Sequence, residues 1–261
     1  MDLSLRNRIA IICGSTQGIG FASALELSKL GASCVLMARN EIALKEAVQQ
    51  LDTSFKQQHS YLVADFDQPE TVKAAIETFV SNNSVHILIN NSGGPGSGSI
   101  TEAKEEEFIN TFNRHLLCNH ILTKAVIPSM KKEGYGRIIN IISTSVKVPL
   151  PNLGVSNTIR GAVASWAKTM ANELGQFNIT VNNVLPGATK TQRLETIISN
   201  NANKKNVAVD EIEKEMLKEI PMKRFAEPQE LANIVAFLAS PAASYVNGVS
   251  IPVDGGRTGS I

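Results

Sequence analysis

Short apolar segments alternate with segments of helical periodicity along most of the chain. Near-continuous apolar or β-branched runs lie at residues 9–12, 33–37, 61–63, 87–89, 137–142, 179–184 and 249–253. They do not alternate with polar residues, which is typical of strands covered on both faces. The pattern predicts a single Rossmann-like, doubly wound α/β domain with a seven-stranded parallel sheet.

The segments between these runs carry the start and stop signals of helices. The first helix places its apolar residues on one face and ends at Gly31. Further helices are expected to begin at Pro69 and at Pro228, because proline is favoured in the first turn. Strand–helix–strand repetition of this kind favours right-handed crossover connections.

One stretch departs from that regular alternation. Residues 191–219 are polar and helical, and Asn200, Asn201 and Asn203 are expected to interrupt them. We interpret this stretch as a helical lid inserted into one domain that spans residues 1–261. The alternative is a solvated helical hairpin with no role in binding. No linker rich in Pro, Gly or Ser divides the chain.

Composition narrows the function classes. Of 261 residues, 43% are hydrophobic and 19% charged, and the net charge of +1 with no long basic run argues against nucleic-acid binding. No run approaches the length of a membrane span. The beginning of the chain carries no secretion signal, so cytoplasmic localisation is predicted. Three scattered cysteines and four histidines without metal-ligand spacing predict neither disulfides nor a metal site.

A glycine-rich loop follows the first predicted strand and precedes the first helix. Gly14 permits a tight turn, Gly18 lets backbone N–H groups approach a pyrophosphate, and Gly20 permits close packing of helix on strand. The spacing is G-x-x-x-G-x-G, which differs from the general dinucleotide fingerprint. The predicted phosphate-binding residues are Gly14, Ser15, Thr16, Gln17, Gly18, Ile19 and Gly20.

With this loop, later motifs make the chain resemble the short-chain dehydrogenase/reductase family, in its 3-oxoacyl-carrier-protein-reductase-like branch. Residues 90–93 resemble the N-N-A-G motif, with Ser92 in place of alanine, and residues 253–256 resemble the family's carboxyl-terminal strand ending. The segment after the sixth strand resembles the one that closes over the nicotinamide and phosphates. The resemblance implies cofactor contacts by Asn91, Ser92, Gly93, Pro186, Gly187 and Thr191.

The end of the second strand bears on the choice of cofactor. A carboxylate there would bind the ribose 2′-hydroxyl, but this chain has Arg39, whose guanidinium suits a 2′-phosphate. NADP(H) is therefore preferred. The alternative is that Arg39 only stacks on adenine, in which case NAD(H) also binds. Asn40 is assigned to the same site, Asp65 resembles the family's adenine-contacting acid, and Phe66 offers an apolar contact.

The catalytic positions depart from the family pattern, which uses serine, tyrosine and lysine, usually with an asparagine on the preceding helix. The resemblance aligns Ser143 with the serine; Ser156, thirteen residues on, stands at the tyrosine position, and Arg160 at the lysine position. His115 stands at the asparagine position, with Asn119 as the alternative if the alignment is shifted by one turn. None of the three tyrosines has a lysine four residues later.

The resemblance implies NADP(H)-dependent interconversion of a carbonyl and an alcohol, of 3-oxoacyl or small-ketone type, with a non-standard proton donor. Ser143 and Ser156 are expected to hydrogen-bond the carbonyl, and Arg160 to hold ribose hydroxyls and stabilise an oxyanion. His115 is the candidate proton carrier. The rival hypothesis is a catalytically silent dinucleotide-binding sensor or assembly protein.

A small-molecule carbonyl or alcohol substrate is the expected partner, together with further copies of the chain. The family forms dimers and tetramers through its long central helices. The helix expected around residues 158–174 carries more apolar residues than one sheet-facing stripe needs, which favours a homodimer or homotetramer. These residues are Ala162, Val163, Trp166 and Met170.

Overall fold

A seven-stranded parallel sheet forms the centre of the computed structural model, which describes residues 1–260. Its order is β3-β2-β1-β4-β5-β6-β7, as the apolar runs predicted in number and direction. The strand order reverses between β1 and β4, which places the ligand crevice of such a sheet at their carboxyl ends. The strands are β1 (Ile9–Cys13), β2 (Ser33–Ala38), β3 (Ser60–Val63), β4 (Ile87–Asn90), β5 (Gly136–Ile141), β6 (Ile179–Pro186) and β7 (Ser250–Val253).

Helices cover both faces of this sheet. Pro69 and Pro228 begin their helices as expected, and a π-helical turn at Asn113–Leu117 joins α4 to α5. The helices are α1 (Gly18–Lys29), α2 (Glu41–Gln49), α3 (Pro69–Val80), α4 (Glu105–Phe112), α5 (Cys118–Glu133), α6 (Gly154–Leu174), α7 (Gln192–Lys205), α8 (Val209–Lys218) and α9 (Pro228–Ala239). None of these described helices is long and apolar enough to cross a membrane.

Successive residues of the central strands enter two separate cores. Ile12 of β1 and Ile139 of β5 pack with residues of α1, α2 and α9 on one face. Ile11 and Ile138 pack with residues of α3, α5 and α6 on the other. Because both faces are covered, the strands need no polar face, which explains the uninterrupted apolar runs in the sequence.

The 191–219 segment forms two helices, α7 and α8. They share a small apolar cluster that includes Leu194, Ile198 and Ile212. The expectation that asparagines interrupt the segment is wrong: residues 200, 201 and 203 all lie within α7, which ends at Asn206 in the left-handed conformation. The helix cost of an asparagine is below about 1 kcal/mol, and burial of the apolar face of α7 offsets it.

A row of polar side chains links four neighbouring strands, from the last residue of β4 to the first residue of β7. The amide of Asn90 donates to Asn140 Oδ1 at 2.9 Å, and the amide of Asn140 donates to Asn183 Oδ1 at 2.9 Å. Asn183 in turn donates to Ser250 Oγ at 3.0 Å. These residues are also direct backbone partners across β4, β5, β6 and β7. These side-chain hydrogen bonds form only when the four strands pair in this register, so the polar row stabilises it.

Replacing the centre of this row should cost stability. In Asn140→Leu, the Asn90 amide and the Asn183 carbonyl oxygen both lose a buried partner, so we expect the free energy of unfolding to fall by about 2–4 kcal/mol. Urea denaturation measures it. The matched control is Asn233→Ala at an exposed position of α9, where a change within about 0.5 kcal/mol is expected. Equal effects of the two substitutions would contradict a stabilising row.

Candidate active site

A cleft of about 930 Å³ opens where the carboxyl ends of β1, β4, β5 and β6 meet. It contains most of the residues singled out in the sequence, drawn from segments far apart in the chain. Of these residues, the following line it: Gly14, Thr16, Gln17, Gly18, Ile19, Arg39, Asn40, Asp65, Phe66, Asn91, Ser92, Gly93, Ser143, Ser156, Arg160, Pro186, Gly187 and Thr191. Ser15, Gly20 and His115 do not line it.

The glycine-rich loop is folded tightly against the neighbouring strand end. The Asn91 amide donates to Cys13 O at 3.2 Å and to Gly14 O at 3.1 Å. A Cβ on Gly20 would lie 2.2 Å from Gly14 O, so only glycine fits there. Gly18, at φ +58°, begins α1 and lies against Thr191, whose Cγ2 would be 3.3 Å from an added Cβ. The loop therefore turns the helix N-terminus toward the cleft, as an anion site requires.

Two residues expected to contact the cofactor, Ser15 and Gly20, do not line the cleft and shape the loop from behind. Ser15 is fully buried, and its Oγ accepts a hydrogen bond from Met37 N at 3.1 Å. Gly20 is packed against Gly14 behind the cleft wall. Ser15 holds the loop to β2, and Gly20 allows the loop to pack on its own first turn. These contacts fix the loop in the conformation in which its N–H groups can face a ligand.

At the other end of the cleft, Arg39 is available to a ligand. Its side chain is 74% exposed, and Nη1 lies 4.0 Å from Asp67 Oδ2, at the limit of an ion pair. Asn40 Oδ1 accepts from Ala43 N and so caps α2. Asp65 Oδ1 accepts from Asp67 N. The guanidinium of Arg39 is thus held only loosely by Asp67 and is available to pair with a ligand.

Ser143, Ser156 and Arg160 converge from two elements. Ser143 follows β5, and its Oγ accepts from Ser145 N at 3.1 Å. Ser156 and Arg160 lie one turn apart on α6 and are buried. Arg160 Nη1 donates to Ile141 O at 2.8 Å, while its buried Nε has no partner among the described residues. Burial, and then the charge of Arg193, lower the pKa of Arg160 to about 10, so it stays cationic at neutral pH.

His115 lies behind this group, in the π-helical turn between α4 and α5, and is 2% exposed. Its Nδ1 is 2.8 Å from the Oγ of Ser92, which does line the cleft. Burial, and then the charges of Arg160, Arg114 and Arg193, hold its pKa well below the usual value. His115 is therefore a neutral ring that contacts Ser92. The alternative residue Asn119 is also buried and does not line the cleft.

Three further arginines, Arg114, Arg193 and Arg257, line the cleft and were not singled out in the sequence, and two of them reach distant segments. Arg114 Nε donates to Asp67 Oδ1 at 2.6 Å. Arg193, in the first turn of α7, donates from Nη1 to Gly94 O and from Nη2 to Pro95 O, both at 3.0 Å. Both Arg114 and Arg193 acquire their positions through contacts with distant segments, so the sequence around them does not identify them as cleft residues. The one hint in the sequence is that Arg193 closely follows Thr191.

Comparison with known proteins gives consistent matches over nearly the whole chain. The family described as Enoyl-(Acyl carrier protein) reductase matches residues 14–258. The 3-oxoacyl-(acyl-carrier-protein) reductase FabG of Pseudomonas aeruginosa is 31% identical, over 97% of this chain and 98% of that protein. The human dehydrogenase/reductase SDR family member 4 is also 31% identical, over 97% of this chain and 88% of that protein.

Solved structures of reductases also resemble this chain over nearly its whole length. The L-sorbose reductase of Gluconobacter frateurii, crystallised with NADPH and L-sorbose, has a TM-score of 0.93 at 32% identity and covers 100% of both chains. YwfH, an NADPH-dependent reductase involved in bacilysin biosynthesis, has a TM-score of 0.91 at 30% identity, over 97% of this chain and 99% of that one.

The buried His115 generates a prediction about pH. Because its pKa is depressed in the folded protein, the unfolded chain binds that proton more readily. The stability associated with the neutral ring is complete above about pH 6.5, the usual histidine pKa, and is lost progressively below it. The Tm of the native protein should therefore fall more steeply between about pH 7.5 and about pH 5 than that of His115→Gln.

Thermal denaturation across that range measures the difference in slope. His120→Gln is the matched control, because His120 lies on the next turn but is exposed, with its ring edge-on to Trp166. We expect this control to follow the native slope. Identical slopes for the native protein and His115→Gln would show that His115 does not titrate in this way.

Proposed function

Because this chain belongs to the short-chain dehydrogenase/reductase family, we propose that it interconverts a carbonyl compound and an alcohol with NADP(H). One observation carries the proposal: Ser143, Ser156 and Arg160 line the same cleft as the phosphate-binding loop. The related FabG and L-sorbose reductase are named as reductases, which supports the same reaction class. The substrates are of 3-oxoacyl or small-ketone type.

The cleft fits the dinucleotide on its own geometry. Gly18 lacks a side chain, which leaves space next to Thr191 at the N-terminus of α1. In this proposal the pyrophosphate binds in that space. In this proposal Asp65 and Phe66 hold the adenine half and residues 91–93 and 186–187 the nicotinamide half, and all of them line the cleft. The unpartnered Arg160 Nε is suited to a ribose hydroxyl. When bound, the cofactor supplies the hydride.

Arg39 selects the phosphorylated form of the cofactor in this proposal. Its exposed guanidinium is free to pair with a 2′-phosphate, and no carboxylate stands at the end of β2 to repel one. L-sorbose reductase and YwfH, which are both described with NADPH, support the same preference.

The proton route differs from one that uses a tyrosine. Ser143 donates a hydrogen bond to the substrate oxygen, and the charge of Arg160 stabilises negative charge that develops on it. Arg160 serves as a fixed charge, because a guanidinium does not titrate near neutral pH. A serine is much shorter than a tyrosine, so in this proposal a water lies between Ser156 and the substrate. This water accepts a hydrogen bond from Ser156, donates its proton to the substrate oxygen and regains a proton from the solvent. In this proposal His115 does not carry the proton; its hydrogen bond with Ser92 orients the Ser92 hydroxyl.

Helices α7 and α8 form the lid of the site in this proposal. Ile197 and Met216 from these helices line the cleft, as does Arg193. Assembly into a homodimer or homotetramer also remains a proposal. In the single chain Val163 is fully buried and Trp166 and Met170 are partly buried, so α6 has less free apolar surface than its sequence indicates.

The first prediction here concerns cofactor choice. Arg39→Ala should reduce the preference for NADPH over NADH by about tenfold, which corresponds to about 1.4 kcal/mol of charge-assisted contact. Fluorescence titration of both cofactors measures their Kd values. Arg224→Ala is the control, because Arg224 pairs with Glu230 outside the cleft. An unchanged ratio of the two Kd values in Arg39→Ala would remove Arg39 from cofactor selection.

The second prediction concerns the proton route. The double variant Ser156→Tyr with Arg160→Lys should raise the turnover of a generic small ketone, because a phenol next to an ammonium is a far better acid than a serine hydroxyl. NADPH oxidation measures kcat, with each single variant as a control. Ser143→Ala in the native background should lower kcat about a hundredfold.

Turnover by the native protein separates the oxidoreductase hypothesis from that of a catalytically silent dinucleotide-binding protein. If the native protein binds NADPH but reduces none of a panel of ketones, 3-oxoacyl thioesters and aldehydes, the silent dinucleotide-binding protein is the better description. A double variant that binds NADPH and remains inactive would show that more than the two substituted side chains separates this site from catalysis.

A further inference from the structure

The cations that line the cleft fall into two groups. Four of them have a carboxylate within 4.0 Å, whereas Arg160 and Arg193 have none among residues 1–260. The buried charge of Arg160 is costly unless a ligand supplies the opposite charge, and the exposed Arg193 can bind an anion that enters the cleft. The paired cations are Arg39 and Arg114, both with Asp67, Lys205 with Glu215, and Arg257 with Glu219.

Arg193 is held in a fixed orientation. It reaches from the first turn of α7 to the loop after β4, where two main-chain carbonyls accept from its two terminal nitrogens. A guanidinium has five N–H groups, so three remain for a ligand in the cleft. Because the protein has already ordered this side chain, binding an anion costs less conformational entropy than it would with a free arginine.

The charge of Arg193 reaches the catalytic positions. It lowers the pKa of Arg160, second to burial, and contributes to the low pKa of His115. No carboxylate of residues 1–260 offsets either effect. The cleft thus carries a positive potential from Arg160 and Arg193 together, and it also has apolar surface from Ile142, Leu153 and Ile197.

We infer that the carbonyl substrate of this enzyme carries a carboxylate, which Arg193 binds while Arg160 adds to the positive potential. The inference rests on the proposed carbonyl–alcohol reaction. In the proposed reaction Arg160 contacts a ribose hydroxyl and the reacting oxygen, so Arg193 is left to bind a negative charge on the substrate. The planar guanidinium of Arg193 matches the geometry of a carboxylate. Neutral 3-oxoacyl thioesters leave Arg193 without a counter-charge and are poorer substrates.

Binding without turnover tests this inference directly. NADP⁺ with an unreduced oxo acid cannot react, so calorimetry of that ternary complex measures affinity alone. The probes are 2-oxobutanoate, 3-oxobutanoate and 4-oxopentanoate, each compared with its methyl ester, and titrations are run with and without NADP⁺. We expect at least one acid to bind about tenfold or more tighter than its ester, with an affinity that falls at high salt.

Three variants identify the residue responsible. Arg193→Met should reduce the acid-to-ester ratio of that pair to about one, and Arg193→Lys, which keeps the charge but cannot bridge both carbonyls, should retain part of it. Arg224→Met is the matched control outside the cleft and should keep the native ratio. If no acid binds better than its ester, or if Arg193→Met keeps the native ratio, the inference is wrong.

Turnover with NADPH separates this inference from the proposed function. Preferential binding of an acid without reduction of any carbonyl would retain the anion site and reject the reaction. Reduction of acids and esters with equal kcat/KM, together with equal affinities, would retain the reaction and reject the carboxylate.

Discussion

The register of four neighbouring strands, held by the row of polar side chains from Asn90 to Ser250, is the constraint on which the cleft depends. Asn91 follows the first member of the row and closes the glycine loop through Cys13 and Gly14. Ser143 lies three residues after Asn140, and Pro186 three residues after Asn183. A shift of one residue in any of these strands would turn the side chains of that strand to the opposite face and remove its contribution to the site.

The cations of the cleft differ in whether a carboxylate pairs with them. The exposed ion pairs contribute little to stability, because water screens them and long side chains lose freedom when they pair. Arg160 is different: it is buried and hydrogen-bonded to Ile141 O, with no carboxylate partner among residues 1–260. An arginine retains its charge in such a place more readily than a lysine, whose pKa burial lowers easily. The cleft therefore keeps a positive charge at the α6 position of Arg160.

Similarity to known reductases and the chemistry of this site address different questions. A TM-score of 0.93 to L-sorbose reductase establishes how the chain folds and where a ligand crevice lies. It does not establish how a proton reaches the substrate, because that depends on a few side chains. The cleft presents the hydroxyls of Ser143 and Ser156 and the guanidinium of Arg160, together with Arg193 from α7, and the proposed chemistry depends on these groups.

The sequence by itself determined the strands, most of the helices, the glycine loop and the placement of Ser156 and Arg160 on one helix face, because these follow from local periodicity and spacing. The asparagines within α7 misled the prediction, since weak local propensity yields to packing of an apolar face. Only the tertiary structure decided that His115 is buried against Ser92, that Arg114 pairs with Asp67, and that Arg193 reaches across to Gly94. The physical reason is that such contacts join segments far apart along the chain, so no local pattern specifies them; they exist only once the sheet has brought the strand ends together.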